Sequence, residues 1–180
     1  VLAVGMILSL AACGNGGNSG GSNNASASGQ TQGEAKTEVD DTVQGVTDTE
    51  IKVGNTAAVS GAYAPVGVPF IAGIESYFKM INDQGGIDGR KITFVHKDDE
   101  FDPVKGKAYL QEMVEDEKVF AIVGHFGTPV VAATIDDLKS YGIPSVYFAT
   151  GIGQLYAEHA ETNADGYNLF PVQPIYTTEG

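Results

Sequence analysis

The sequence predicts an α/β domain, a doubly wound parallel sheet, and three observations predict it. Short β-rich apolar runs alternate with stretches of about 12 to 16 residues whose apolar positions recur at spacings of three and four, the mark of a one-faced helix. One run, VFAIVGH at Val119–His125, is apolar almost throughout, as in strands covered on both faces. The strict alternation of strand and helix signals is that of βαβ units, whose crossovers are right-handed in nearly every known sheet.

Taken in order, EIKVGNTAAV (Glu50–Val59) reads as the first strand, and SGAYAPVG (Ser60–Gly67) as a loop marked by its glycines and proline. Ile71, Ile74, Phe78 and Ile81 place a helix over Val68–Asn82, ended by Gly85 and Gly86. RKITFVHKDD (Arg90–Asp99) is a second strand. A second helix starts near Pro103 and runs to about Lys118, with Tyr109, Leu110, Met113 and Val114 in register. Val119–His125 is the third strand. Thr128–Gly142 is the third helix, with Thr128 as its expected N-cap, Pro129 at the first helical position and Gly142 at its end. Ile143–Thr150 is a fourth strand and Tyr167–Pro174 a fifth. With strand order 2-1-3-4 the topological switch lies between strands one and three, and ligands of such sheets bind there, beyond the carboxyl ends of the strands. The loops that matter are then Ser60–Gly67, His125–Thr128 and Ala149–Gly153.

The front of the chain reads differently. Val1–Ala12 is uncharged and apolar, and too short for the roughly 20 residues that span a bilayer. It has the length of a secretory h-region, and LAAC, Leu10–Cys13, resembles the lipobox of bacterial lipoproteins, in which the cysteine is diacylated and becomes the mature terminus. Two acyl chains hold a protein at a membrane where one does so marginally, so Cys13 is the expected lipid anchor. The chain opens on Val1 without an initiator Met or a basic n-region, so residues 1–12 are expected to be part of a signal peptide. Gly14–Asp48 is Gly, Asn, Ser, Gln and Thr, then acidic, with no aromatic residue, and is expected to be a flexible linker. A net charge of −13 disfavours a nucleic-acid partner. With Cys13 the single cysteine, an intramolecular disulfide and a Cys-based zinc cluster are excluded within these 180 residues.

GHFGTP (Gly124–Pro129) carries the most chemistry. A helix N-terminus offers free N–H groups and about half a positive charge to a carboxylate or phosphate. Gly127 lets a ligand approach, and the Thr128 hydroxyl either donates to it or caps its own helix. YFATGIG (Tyr147–Gly153) puts a second small-residue loop beside the first. No Walker motif or GxGxxG supports a nucleotide, no GxSxG supports a hydrolase, and no cofactor is implied. The acidic cluster Asp98, Asp99, Glu100 and Asp102 lacks the calcium-loop pattern and is expected to be a solvated strand end that favours the next helix start. His96, His125 and His159 show no metal-ligand spacing, and His125, though beside the candidate pocket, is expected to be structural.

IKVGNTAAVSGAYAPVG, INDQGGIDGRKI, KDDEFDP, FAIVGH and GIPSVYFATG, in this order, resemble the branched-chain amino acid (leucine/isoleucine/valine) binding proteins of bacterial ABC transporters, from about Ile51 to Thr150 and more weakly to Gln173. The resemblance implies a periplasmic-binding-protein type I fold, two α/β lobes closing on a ligand at the hinge. It implies that residues 49–165 form lobe 1 and 166–180 cross into a second lobe beyond this sequence. Family members grip the ligand carboxylate with a Ser or Thr matched by Thr128, on the Phe126–Gly127–Thr128 loop, and with groups matched by Ala149 and Gly151. The family often has Thr at the latter position, so Gly151 offers only its N–H. Val66 stands where an aromatic residue is common, with Tyr63 nearby. Where some relatives have a disulfide between the second and third strand ends, this chain has Phe101 and Gly127. The function implied is that of an extracytoplasmic, lipid-anchored binding protein delivering an amino acid or similar small carboxylate to an ABC permease. A signalling ectodomain of the same fold is the alternative, and an enzyme is disfavoured because no nucleophile or metal set is present.

Overall fold

In the computed structural model, residues 43–156 and 168–179 are described. Among them a five-stranded sheet runs β2-β1-β3-β4-β5 with every neighbouring pair parallel. The strands are β1 (Glu50–Ala57), β2 (Lys91–Asp98), β3 (Ala121–Val123), β4 (Ser145–Val146) and β5 (Leu169–Phe170). Between them lie α1 (Ala64–Asp83), α2 (Pro103–Glu115) and α3 (Thr128–Tyr141). The expected order of the first four strands is the order found, and the fifth adds to the β4 edge. Leu110 and Met113 of α2 and Val131, Ile135 and Leu138 of α3 pack with Ile122, Phe148 and Leu169 into one cluster. Ile71, Phe70 and Ile74 of α1 pack with Ala57, Phe94 and Phe126 into a second. The sheet is therefore wound on both faces.

Several boundaries differ from expectation for identifiable reasons. α1 starts at Ala64, four residues before the expected Val68, with Pro65 in its first turn, where a missing N–H costs nothing. Pro69 sits inside the helix, so the two prolines mark a helix start and not a longer loop. β4 is shorter than Ile143–Thr150 because Tyr147 adopts a left-handed backbone (φ 58°), after which Ala149 meets Phe126 only through a single parallel bridge. Pro171, which has no N–H to donate to the ladder, follows β5 directly. The expected linker also ends earlier than Asp48. Val46 bridges Ile51, the Lys52 amide donates to the Gly45 carbonyl (2.8 Å), and Gln44 Nε2 donates to the Val119 carbonyl (2.8 Å). The chain thus joins the domain from about Val43. The signal and linker readings of residues 1–42, Cys13 included, lie outside the described residues, as does His159.

The acidic cluster is not uniformly solvated. Asp99 is fully buried, its Oδ1 accepting from the Phe101 amide (2.8 Å), and burial holds its carboxyl above the ordinary range. Asp102 does serve the helix start as N-cap of α2, accepting from the Val104 (2.7 Å) and Lys105 (3.4 Å) amides.

His125 is fully buried under the switch point. Thr134 Oγ1 donates to the carbonyls of Val130 (3.0 Å) and Val131 (3.1 Å), so it accepts from His125 Nε2–H at 2.8 Å. That tautomer leaves Nδ1 to accept from the Thr56 hydroxyl at 3.2 Å. The neutral ring is satisfied on both sides, and burial pushes its pKa down to about 4. The unfolded ring titrates near 6.5, so stability is complete above that pH and is lost as pH falls toward 4, by about 3 kcal/mol in all. Urea unfolding should therefore show a midpoint that drops between pH 7 and 5, and His125→Asn should flatten that slope. An equal slope in both proteins would mean that His125 is not the group responsible.

Candidate ligand-binding site

A cavity of about 750 Å³ opens beyond the carboxyl ends of the strands, at the switch between β1 and β3. Tyr63, Val66 and Phe70 reach it from the entry to α1, Phe101 from the turn after β2, and Phe126, Gly127 and Thr128 from the turn into α3. Tyr147 and Ala149 come from the end of β4, and Val172, Gln173, Pro174 and Tyr176 from the segment after β5. All three loops singled out from the sequence contribute. No carboxylate, ammonium, guanidinium or imidazole is among these side chains.

One wall is a belt of rings in contact. Tyr63 stacks on Phe101 with centroids 3.6 Å apart at 17°. Phe101 meets Phe126 at 6.0 Å, Phe126 meets Phe70 at 5.8 Å, and Phe70 meets Tyr147 at 6.5 Å. Local backbone sets this up. Glu100 and Phe101 both adopt left-handed conformations (φ 54° and 67°), and the Phe101 ring lies against Gly127. A Cβ at residue 127 would come within 2.5 Å of Phe101 Cε2, and φ is 91° there, so glycine is required twice over. The two positions where some relatives carry a disulfide are thus in contact here as ring against backbone.

The other pole is made of hydroxyls. Gly127, not Thr128, is the N-cap of α3, with Thr128 one position inside. The expectation that Thr128 caps the helix is corrected: no side chain caps it, and Thr128 Oγ1 instead lies 2.8 Å from Thr150 Oγ1 and 3.3 Å from the Tyr176 hydroxyl. Thr150 and Tyr176 are themselves 3.3 Å apart, closing a triangle. Hydrogen bonds from Thr128 and then Thr150 hold the Tyr176 phenol below its ordinary range. The Thr128 amide lies in the first turn of α3 and has no acceptor within the helix, at its positive end. Hydroxyls and an amide beside an uncharged wall can bind an anion with an apolar body.

Six of the residues expected to bind ligand, Tyr63, Val66, Phe126, Gly127, Thr128 and Ala149, line this cavity. Gly151 does not. It is buried beneath the returning chain, its carbonyl accepting from the Tyr176 amide (3.0 Å), and a Cβ there would lie 2.4 Å from the Pro174 carbonyl oxygen and 2.9 Å from Tyr176 Cδ1. The glycine makes room for the tyrosine, whose hydroxyl reaches the cavity instead. Sequence reasoning misses Phe70, Tyr147 and Tyr176 as lining residues. Thr150, in the Ala149–Gly153 loop, is buried and bonds Thr128, whereas Tyr176 lies 48 residues from Thr128 and the β4–β5 pairing helps bring it near. Among the described residues no three His, Cys, Asp or Glu side chains gather as metal ligands.

Comparison with known proteins agrees with this geometry. The periplasmic binding protein family profile matches residues 50–180. The chain is similar to Leu/Ile/Val-binding protein homolog 2 of Brucella abortus, 32% identical over 99 residues, which is 55% of this chain and 26% of that protein. Its fold is similar to that of the branched-chain amino acid transporter substrate-binding protein LivJ from Streptococcus pneumoniae in complex with isoleucine (TM-score 0.61, 26% identity, 71% of this chain and 34% of that one). It is also similar to an ABC transporter solute-binding protein from R. palustris in complex with benzoate (TM-score 0.52, 31% identity, 59% of this chain and 29% of that one). The chain thus spans about a quarter to a third of the length of these relatives, which are binding proteins and not enzymes. A family match over most of the chain, a parallel sheet in the predicted order and a cavity at its switch point make one conclusion: this chain belongs to the periplasmic binding protein family, type I.

Proposed function

We propose that the protein is the solute-binding component of an ABC transporter, taking an amino acid of the branched-chain type or a similar small carboxylate and delivering it to a permease. The observation that carries this is the pairing of the Thr128 hydroxyl and first-turn amide with an uncharged aromatic wall. Isoleucine and benzoate, the ligands of two similar structures, share that division into one carboxylate and an apolar body. In this reading residues 49–165 belong to lobe 1, residues 166–180 lead out of it, and a second lobe outside this sequence closes over the cavity and holds the rest of the ligand. Titration calorimetry of the full-length protein with leucine, isoleucine, valine and simple monocarboxylates tests it. Binding of at least one, with one site per protein, is the expected result; binding of none sinks the reading.

A periplasmic binding protein works outside the cytoplasm, and Cys13 is the proposed membrane anchor. Expressed in its host, the full-length protein should sediment with membranes, and Cys13→Ala should release it or leave it unprocessed. Mass spectrometry of the mature terminus decides the point, since an unmodified Cys13 or a terminus elsewhere removes the anchor.

A further inference from the structure

We infer that the cavity selects an arylcarboxylate over a branched aliphatic amino acid, the ring lying along the aromatic belt and the carboxylate at the hydroxyl triangle. The inference rests on the function proposed above and narrows its ligand class. The belt is continuous from Tyr63 through Phe101, Phe126 and Phe70 to Tyr147, each ring within 6.5 Å of the next. Its two end rings are also its most open, Tyr63 at 45% and Tyr147 at 55% exposure. Aromatic faces and edges attract another ring in offset and edge-to-face geometries beyond what area alone provides, an advantage that a leucine or isoleucine side chain cannot use.

Phe126 belongs to the belt and Thr128, two residues on, to the triangle, and both line the same cavity. Thr128 and Tyr176 line the cavity and supply two O–H donors that can turn toward one carboxylate, with the buried Thr150 hydroxyl bonded to that of Thr128 at 2.8 Å, and the Tyr176 ring adds aromatic surface beside them.

The test is a calorimetric titration of the full-length protein with benzoate, phenylacetate and L-phenylalanine against isovalerate, L-leucine and L-isoleucine. The best aryl acid should bind about tenfold more tightly than the best aliphatic one. Tyr147→Leu, a change at an exposed position, should weaken the aryl acids more than the aliphatic ones and so erase most of that preference. An aliphatic ligand binding as tightly as or more tightly than every aryl acid overturns the inference and leaves the proposed function standing. A preference unchanged in Tyr147→Leu overturns the role of the belt. Failure of all six probes to bind overturns both.

Discussion

Thr128→Val in the full-length protein is expected to weaken carboxylate binding about 10- to 100-fold. Valine keeps the shape and branching of threonine and removes only the hydroxyl. The fold should tolerate this, because Thr150 retains the Tyr176 hydroxyl at 3.3 Å and still accepts from the Ile152 amide at 3.3 Å. A hydrogen bond to a charged group contributes about 1.5–3 kcal/mol, and each 1.4 kcal/mol is about tenfold in affinity. An amide analogue of the ligand carries no charge, so it should bind less tightly to the parent and lose less on substitution. Calorimetry with both ligands on both proteins checks this. Equal affinity of parent and variant for the carboxylate would mean that the hydroxyl serves only its neighbours.

Gly67→Ala is expected to cost about 3 kcal/mol of stability, the upper end of the range for overpacking. Gly67 is buried where α1 crosses the end of β1, and an added Cβ would sit 1.8 Å from the Ala58 carbonyl oxygen and 2.7 Å from its carbon. Both are backbone atoms of a fully buried residue, so α1 itself must move. Val66 and Phe70 flank this point and line the cavity, so ligand affinity should fall with stability. Gly73→Ala, on the open side of the same helix with nothing within 4 Å of the new Cβ, is the control and should stabilise by about 0.5–1 kcal/mol. Urea unfolding of the two variants separates the outcomes. A Gly67→Ala protein as stable as its parent would show that α1 does not approach β1 so closely.

What the sequence made legible follows from the range of its signals. Periodicity over three and four residues located α1 through Ile71 and Ile74, and alternation of elements located the switch point and with it the three loops that form the cavity. Contacts between distant residues leave no local trace. Gln44 donates to Val119 across 75 positions, which is why a polar stretch read as linker is in part fastened to the domain. Asp99 reads as one more surface acid in KDDEFDP, yet it is buried while its neighbour Glu100 is exposed and paired with Lys105 (2.6 Å). Asn55, fully buried, donates to the carbonyls of Val123 (2.9 Å) and Gly124 and accepts from His96 Nδ1 (3.1 Å), tying β1 to both neighbouring strands; nothing in IKVGNTAAV announces that role. By resemblance, Gly151 stands where a ligand-binding hydroxyl is common. The fold shows that its missing side chain admits Tyr176.

The most direct test of the account is a crystal structure of the full-length protein with its tightest-binding carboxylate. The account predicts one ligand in this cavity, a carboxylate oxygen about 2.7–3.0 Å from Thr128 Oγ1 and the apolar body against Phe70, Phe126 and Tyr147. A ligand bound elsewhere, or one whose carboxylate turns away from Thr128, would contradict it.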